Sequence, residues 1–417
     1  SMNNRRYSQD CLTMMRSIVF LALFALASAT VSYQGYEVWR LEATREQHAD
    51  VRQVVEEHHL DVWAGGRDWV HVLVSPEQKT VITEKLAQLS VHSTVYIDNV
   101  QALVDRSDEE QKNNRAGFDF EQYNSWEDIE AYLTGLPEVD SRTSIVSLGK
   151  TVEGRDLWQL RISVAEGKQP VWIDCGIHAR EWISPATCLW GINYLLNGYG
   201  SDQAATDLLD ANDIYMLVVN NPDGYAFSHT EQRFWRKNRM LYDGNQCTGI
   251  DLNRNFDEHF GGTGSSSNSC DETYKGPSAA SELETQAVQA GIRDIADRAN
   301  SLYSIHSYSQ LWMYPYGWTC SLPPNYDQLD AISKTGVEAL TSVHGTDYEY
   351  GTICSTIYPA ASTTIDYSYT VGIVNSFTIE LRDTGAYGFL LPADQIKPSG
   401  EETWAGMIAA ILATPST

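Results

Sequence analysis

The stretch Gly176-Ile177-His178-Ala179-Arg180-Glu181-Trp182 places an imidazole and a carboxylate three positions apart, directly after the apolar run Val171-Trp172-Ile173-Asp174-Cys175. Two ligands at this spacing can point the same way from one turn. A third can arrive from His306, which ends the run Leu302–Ile305, and Glu380 lies near the end of a further run, Phe377–Leu381. Two histidines and a glutamate with one position left open form a catalytic zinc arrangement, in which water becomes acidic enough to react near neutral pH. His-x-x-Glu alone is a weak signature, because such pairs arise by chance. A lone histidine at a strand end is more often an ordinary hydrogen-bonded residue. Joint placement at strand ends gives the set its weight.

The elements that must position these groups follow from the apolar pattern. From Tyr123 onward, apolar, β-branched or aromatic runs recur at Val171–Ile173, Ile214–Val219, Leu302–Ile305 and Phe377–Leu381, with helical segments such as Ala186–Leu196 and Ala280–Ala299 between them. The alternation predicts an α/β fold with a mixed, largely parallel central sheet flanked by helices. In such sheets ligands bind beyond the carboxyl ends of the strands, where His178, Glu181, His306 and Glu380 fall. Ser125-Trp126-Glu127-Asp128 resembles a capping box opening a helix with Ile129, Tyr132 and Leu133. Upstream, residues 33–105 alternate strand-like runs (Tyr36–Leu41, Trp69–Val74, Thr94–Ile97) with helical patterns over Glu46–His58 and around Val81–Leu89. That order predicts a small α+β open-sandwich unit. The polar stretch Asp105–Arg115 then reads as a linker or connecting helix, and Lys112 and Arg115 offer a trypsin-like protease its cleavage residues. No internal repeat is visible.

Composition sets the limits. A chain of 417 residues, 42% of them hydrophobic, has material for two units with a sizeable core. A net charge of −26 argues against nucleic acid or an anionic membrane as a partner and is read chiefly as solubility. From Met15 the chain runs through one arginine and a short apolar stretch to small residues around Ala27-Ser28-Ala29. This is the pattern of a secretory signal peptide over residues 15–29, too short for a membrane anchor. Residues 1–14 are set aside as upstream residues, with Ser1-Met2 read as a tag remnant. Secretion leaves six cysteines beyond Cys11, and an even number in an oxidising compartment favours disulfides. No Asn-x-Ser/Thr sequon is present.

From about Glu153 to the C-terminus the chain carries, in order, EGRDL, GIHAREWISPA, NNPDGY, RFWRKNR, GIDLNRNFD, CDETYKGP, HSYSQLWMYPYG, TIYPA and FTIELRDTGAYGFLLP. These strings resemble the pancreatic carboxypeptidase A/B family of secreted zinc metallocarboxypeptidases in proenzyme form, and residues 33–105 resemble its inhibitory prodomain in layout. The resemblance implies the zinc carboxypeptidase fold, with residues 30–115 as inhibitory propeptide and 116–417 as catalytic domain. It implies one Zn2+ per catalytic domain, held by His178, Glu181 and His306, with Asp251 orienting His178. Glu380 matches the general base and Arg236 the residue that polarises the scissile carbonyl. Without the resemblance, Glu380 reads as an ion-pair partner of Arg382, and Arg233, Arg236, Lys237 and Arg239 as an exposed basic patch. Asn253 and Arg254 match the clamp on the substrate's terminal carboxylate and Tyr358 the mobile tyrosine closing over it. Arg180 and Ser307 match further substrate-binding positions, Arg180 on the substrate's N-terminal side.

In the family, an acidic residue at the base of the terminal pocket selects lysine or arginine and an aliphatic one selects apolar residues. Ile365 holds that position, with Ile353, Ile357, Ala360 and Thr378 on the walls, so carboxypeptidase A-type preference is expected; a slip of one residue to Asp366 would reverse it. The resemblance implies disulfides Cys247–Cys270 and Cys320–Cys354. Cys175–Cys188 is the remaining pair, with Cys175 also readable as a buried free thiol. The expected partners are peptide and protein C-termini as substrate, the chain's own propeptide as intramolecular inhibitor, and a trypsin-like protease cutting near Arg115, with no nucleic acid and no membrane. A secreted, extracellular, monomeric digestive exopeptidase, in the gut lumen, follows as the expectation. The alternatives are a carboxypeptidase B-like enzyme removing lysine or arginine, a regulatory peptide-processing relative, and a non-catalytic peptide-binding relative.

Overall fold

The computed structural model describes residues 31–44, 46–113 and 117–415. The expected signal peptide and Arg115 lie outside these. The first unit runs β1 (Glu37–Glu42), α1 (His48–Glu57), β2 (Asp61–Gly66), β3 (Trp69–Val74), α2 (Lys79–Gln88), β4 (His92–Ile97) and α3 (Val100–Asn113). Its four strands form one sheet in the order β2-β3-β1-β4, antiparallel throughout. Val51, Val54, Ile82 and Leu86 of the two helices pack on Leu41, Val72 and Val74, each helix burying one stripe on one face of the sheet. Strand β2 is an addition to the sequence reading: Asp61-Val62-Trp63-Ala64-Gly65-Gly66 lacks period-two alternation and ends in paired glycines, so pattern alone does not mark it as a strand. The polar stretch from Asp105 is the body of α3, the helical alternative of the two expected.

The second unit contains α4 (Trp126–Val139), β5 (Thr143–Lys150), β6 (Asp156–Ile162), β7 (Gln169–Cys175), α5 (Ile183–Gly198), α6 (Gln203–Ala211), β8 (Asn212–Leu217), α7 (Pro222–Thr230), α8 (Leu283–Ile295), β9 (Ser301–Ser307), β10 (Leu311–Tyr314), α9 (Tyr326–His344), β11 (Glu349–Thr352), α10 (Ile353–Thr356), α11 (Thr364–Thr370), β12 (Ser376–Leu381) and α12 (Ile396–Ala413). The eight strands order as β11-β10-β12-β9-β7-β8-β6-β5. The four central strands β12, β9, β7 and β8 are mutually parallel, and β10, β6 and β5 turn antiparallel towards the edges. Buried on both faces, the central strands read as near-continuous apolar runs. Helices α5 and α12 cover one face through Leu189, Ile192, Trp404, Met407 and Ile411, and α8 covers the other through Val288 and Ile292 on Trp172 and Leu302. Helix α4 begins as the capping box requires, with the Ser125 hydroxyl accepting from the Asp128 amide.

Candidate metal centre and cleft

Because β7, β9 and β12 are parallel, their carboxyl ends share one edge. Strand β7 ends at Cys175, and Gly176 (φ +64°) turns the chain out of the sheet. A side chain there would meet Pro185 Cγ at 2.9 Å, so the turn needs glycine. The Ser184 hydroxyl locks it, accepting from the Gly176 amide and donating to the Ile305 carbonyl at 2.6 Å. His178 and Glu181 share the single turn that precedes α5, with the Glu181 amide donating to the His178 carbonyl. His306 comes from β9, and Glu380 lies opposite it in the parallel β12–β9 register. The first three sites of chemistry named by the sequence therefore meet. His178 Nδ1 is 2.8 Å from Glu181 Oε1, and His306 Nδ1 is 3.2 Å from both His178 Nδ1 and Glu181 Oε2.

The outward nitrogens decide what this cluster can hold. Asp251 can only accept, so His178 Nε2 donates its proton to Asp251 Oδ1 at 3.2 Å. Ser304 Oγ donates to Asp174 Oδ1 at 2.7 Å and so accepts from His306 Nε2 at 3.2 Å. Each ring thus carries a proton on Nε2 and turns Nδ1 inward, where it donates to Glu181 when protonated and offers a lone pair to an ion when not. The two Nδ1 atoms and a Glu181 oxygen lie within 4.8 Å of one another and could together hold a metal ion. Burial opposes ionisation of Glu181, yet His178 and His306 beside it hold its carboxyl below the ordinary range. Asp174 and Ser304 escaped the sequence reading. Their signal was a carboxylate inside an apolar strand and a hydroxyl two residues before His306, on the same strand face.

Arg236 closes the ring of charge: its guanidinium donates to Asp251 Oδ2 at 2.9 Å and stands 3.8 Å from Glu181 Oε1. Its neighbours in RFWRKNR do not form an exposed patch. Arg233 is buried over the Trp182 ring at 3.5 Å, Lys237 donates to the Ser269 and Asp271 carbonyls, and Arg239 lies over Phe227 at 3.6 Å. Arg382 is also engaged elsewhere, donating to Glu402 at 2.6 Å, so the ion pair with Glu380 is absent. Burial raises the Glu380 carboxyl to about 8, with the His306 charge opposing and Glu181 adding to the rise.

A cleft of about 540 Å³ contains the cluster together with Arg236, Asn253, Arg254, Ser307, Tyr358, Ile365 and Glu380. Asn253 turns its carbonyl to the Thr364 amide at 2.9 Å, and Arg254 is braced by the Gly264 and Asn253 carbonyls. Ile365 faces the cleft with Ile353, Ile357, Ala360 and Thr378. Asp366 does not: its carboxylate accepts from the Gly317 and Trp318 amides at 3.0 Å. The cysteines pair as Cys175–Cys188, Cys247–Cys270 and Cys320–Cys354, so Cys175 is no free thiol.

The first unit sits on this cleft, and all of Leu60–Gly66 line it. Arg180, fully buried, donates from one nitrogen to both Asp61 oxygens at 2.9 and 2.7 Å and from another to the Val62 carbonyl, with Phe389 beneath its plane at 4.3 Å. A residue expected on the substrate's path is thus occupied by the preceding unit. Trp63 packs between Phe234 and Phe389, His71 hydrogen-bonds Tyr308 at 3.0 Å, and the Tyr358 ring lies against Gly65. Among the described residues no helix is long and apolar enough to cross a membrane.

Comparison with known proteins agrees with this geometry. The zinc carboxypeptidase family profile matches residues 129–406, and the carboxypeptidase activation peptide profile matches residues 39–107. Mouse (Mus musculus) carboxypeptidase A2 is 39% identical over 93% of this chain and 96% of its own length. Human (Homo sapiens) carboxypeptidase B is 40% identical over 94% and 96%. Among solved structures, the carboxypeptidase A of Helicoverpa armigera superimposes with a TM-score of 0.85 at 30% identity, covering 93% of this chain and 98% of that one.

Proposed function

Because this chain belongs to the zinc carboxypeptidase family and carries that family's activation peptide, we propose that it is a secreted, latent exopeptidase that removes apolar or aromatic C-terminal residues. Zinc is the metal of the family, and His178, Glu181 and His306 are the residues proposed to hold it. Bound zinc supplies Lewis acidity, polarising a carbonyl and lowering the pKa of water. Asp251 and Ser304 keep both imidazoles in the ligating tautomer. Glu380, with Arg382 engaged elsewhere, accepts the proton of the attacking water and returns it to the leaving amine. Arg236, fixed by Asp251, donates to the oxygen on which negative charge develops. Asn253 and Arg254 take the terminal carboxylate, Tyr358 closes over the terminal residue, and Arg180 and Ser307 serve the upstream side.

Identity near 40% to both A-type and B-type enzymes does not separate the two specificities. The observation that carries the A-type reading is the base of the terminal pocket. Ile365 faces the cleft among apolar walls, and the neighbouring Asp366 spends its carboxylate on two backbone amides. An ammonium buried there would lack a counter-charge, a cost of several kcal/mol.

The same proposal reads residues 15–29 as signal peptide, 30–115 as the inhibitory cap and 116–417 as the monomeric enzyme, released by trypsin-like cleavage near Arg115 in a digestive setting. The test compares turnover of peptides ending in Phe, Leu, Arg and Glu before and after trypsin treatment, with and without a zinc chelator. Phe and Leu turnover that appears on cleavage and vanishes with chelator is expected. Preferred release of Arg would replace the A-type reading by the B-type one.

A further inference from the structure

Asp174 is a carboxylate at the heart of the sheet with no cation in contact. It lies in β7, between β9 and β8, and is fully buried. Its side-chain partners among the described residues are two neutral donors. The Ser304 hydroxyl donates to Oδ1 at 2.7 Å and the Trp172 indole N–H to Oδ2 at 3.0 Å. Burial raises the carboxyl, with both donors and the more distant His306 opposing. A buried carboxylate without an adjacent counter-charge is costly. Along its hydrogen bonds, the first place where positive charge can gather is the metal centre.

The pleat builds that connection. Side chains alternate along a strand, so Trp172 and Asp174 share one face of β7, and Ser304 and His306 one face of β9. Parallel pairing sets Asp174 opposite Ser304. The Ser304 hydroxyl has a single proton to give. Asp174 takes it, and the same oxygen accepts from His306 Nε2 at 3.2 Å. The direction of both bonds is therefore set at Asp174. Asp251 does for His178 by direct contact what Asp174 does for His306 through a hydroxyl. Metal-bound histidines commonly donate their second N–H in this manner, which fixes the ring and strengthens the ligand. Trp172, Asp174 and Ser304 do not line the cleft, so the connection does not depend on whether the first unit covers it.

We propose that Asp174 is a positioning residue of the metal centre: through the Ser304 hydroxyl it keeps a proton of His306 on Nε2 and so presents Nδ1 to the ion. The inference rests on the zinc reading of His178, Glu181 and His306 above. Asp174→Asn reverses the connection. The Trp172 indole can only donate, so the amide oxygen stays on Trp172 and the amide nitrogen turns to Ser304. Ser304 then accepts from the amide and points its own proton at His306 Nε2. That favours a proton on Nδ1, the atom the ion needs.

The test measures the zinc Kd of the full-length wild type, Asp174→Asn, Ser304→Ala and the double variant, by competition with a chelator of known affinity. The melting temperature of each metal-free chain is recorded beside it. D174N and S304A should each weaken zinc by roughly 10- to 100-fold. With Ser304 already replaced, D174N should add little, because the link to His306 is cut. A purely structural Asp174 would lower the melting temperature and leave the Kd of the folded chains alone. An unchanged Kd in folded D174N, or the same loss with and without Ser304, overturns the inference and leaves the zinc reading standing. Should D174N not fold, S304A decides, since Ser304 is the hydrogen-bonded link between Asp174 and His306: an unchanged Kd overturns the inference and a loss of the stated size upholds it. A wild type that takes up no zinc overturns both readings.

Discussion

Single atoms decide the chemistry of this cleft. The Nδ1 atoms of His178 and His306 face Glu181 because Asp251 and Ser304 occupy the opposite nitrogens. Replacing Glu380 by glutamine keeps shape and removes the base, so kcat should fall by about 100- to 10,000-fold while one zinc per chain is still measured by atomic absorption. Full activity in E380Q would reassign the base. A second carboxylate makes a separate prediction. Glu284, buried, shares the Asn238 amide with Glu282, and burial raises its carboxyl from its ordinary 4.5 to about 7. The folded chain therefore binds a proton more tightly than the unfolded one, and stability falls as pH rises from about 4.5 to about 7. Glu284→Gln removes the titration, so its melting temperature relative to wild type should improve on moving from pH 5 to pH 8. A pH-independent difference would show that Glu284 does not titrate in this window.

At the scale of elements, the sheet fixes the ligands and the helices fix the sheet. Gly191 of α5 illustrates the tolerance: a Cβ there would lie 1.8 Å from Trp404 of α12. Gly191→Ala should cost about 2 kcal/mol or more by overpacking, read as a lower urea midpoint; an unchanged midpoint would mean that Trp404 moves freely. Legibility followed burial. Strands β7, β8, β9 and β12 announced themselves as apolar runs, since both faces are covered. Strands β5 and β6, towards one edge, mix Ser, Thr, Lys and Asp with apolar residues, and β10 and β11 are four residues each, too short for periodicity to register. Strand β2 was missed for its paired glycines. Spacing and strand ends singled out His178, Glu181 and His306 as a candidate set, and only the family resemblance named them as ligands. The supports of Arg180 were not legible, because its partner Asp61 lies 119 positions away, and only the packed cap brings them together.

At the scale of the whole molecule, one carboxylate joins the two units. Asp61 pairs with a buried guanidinium, and breaking such a pair by removing one partner costs on the order of 3–5 kcal/mol. In the uncleaved chain, Asp61→Ala should therefore loosen β2 over the cleft. The expected outcome is a several-fold gain in turnover of a small peptide and faster hydrogen exchange across Asp61–Gly66, with the trypsin-treated enzyme unaltered. Equal activity and equal exchange would place the restraint in the aromatic contacts of Trp63 and His71 instead.

The Cys175–Cys188 bond has a consequence for metal exchange. It fastens both ends of a segment 13 positions long that contains His178 and Glu181. If His178 and Glu181 hold the ion as proposed, the strap limits how far the two side chains can separate when it departs. The apo-protein is in this sense a poised chelator, and a reductant would slow zinc uptake without touching a single ligand.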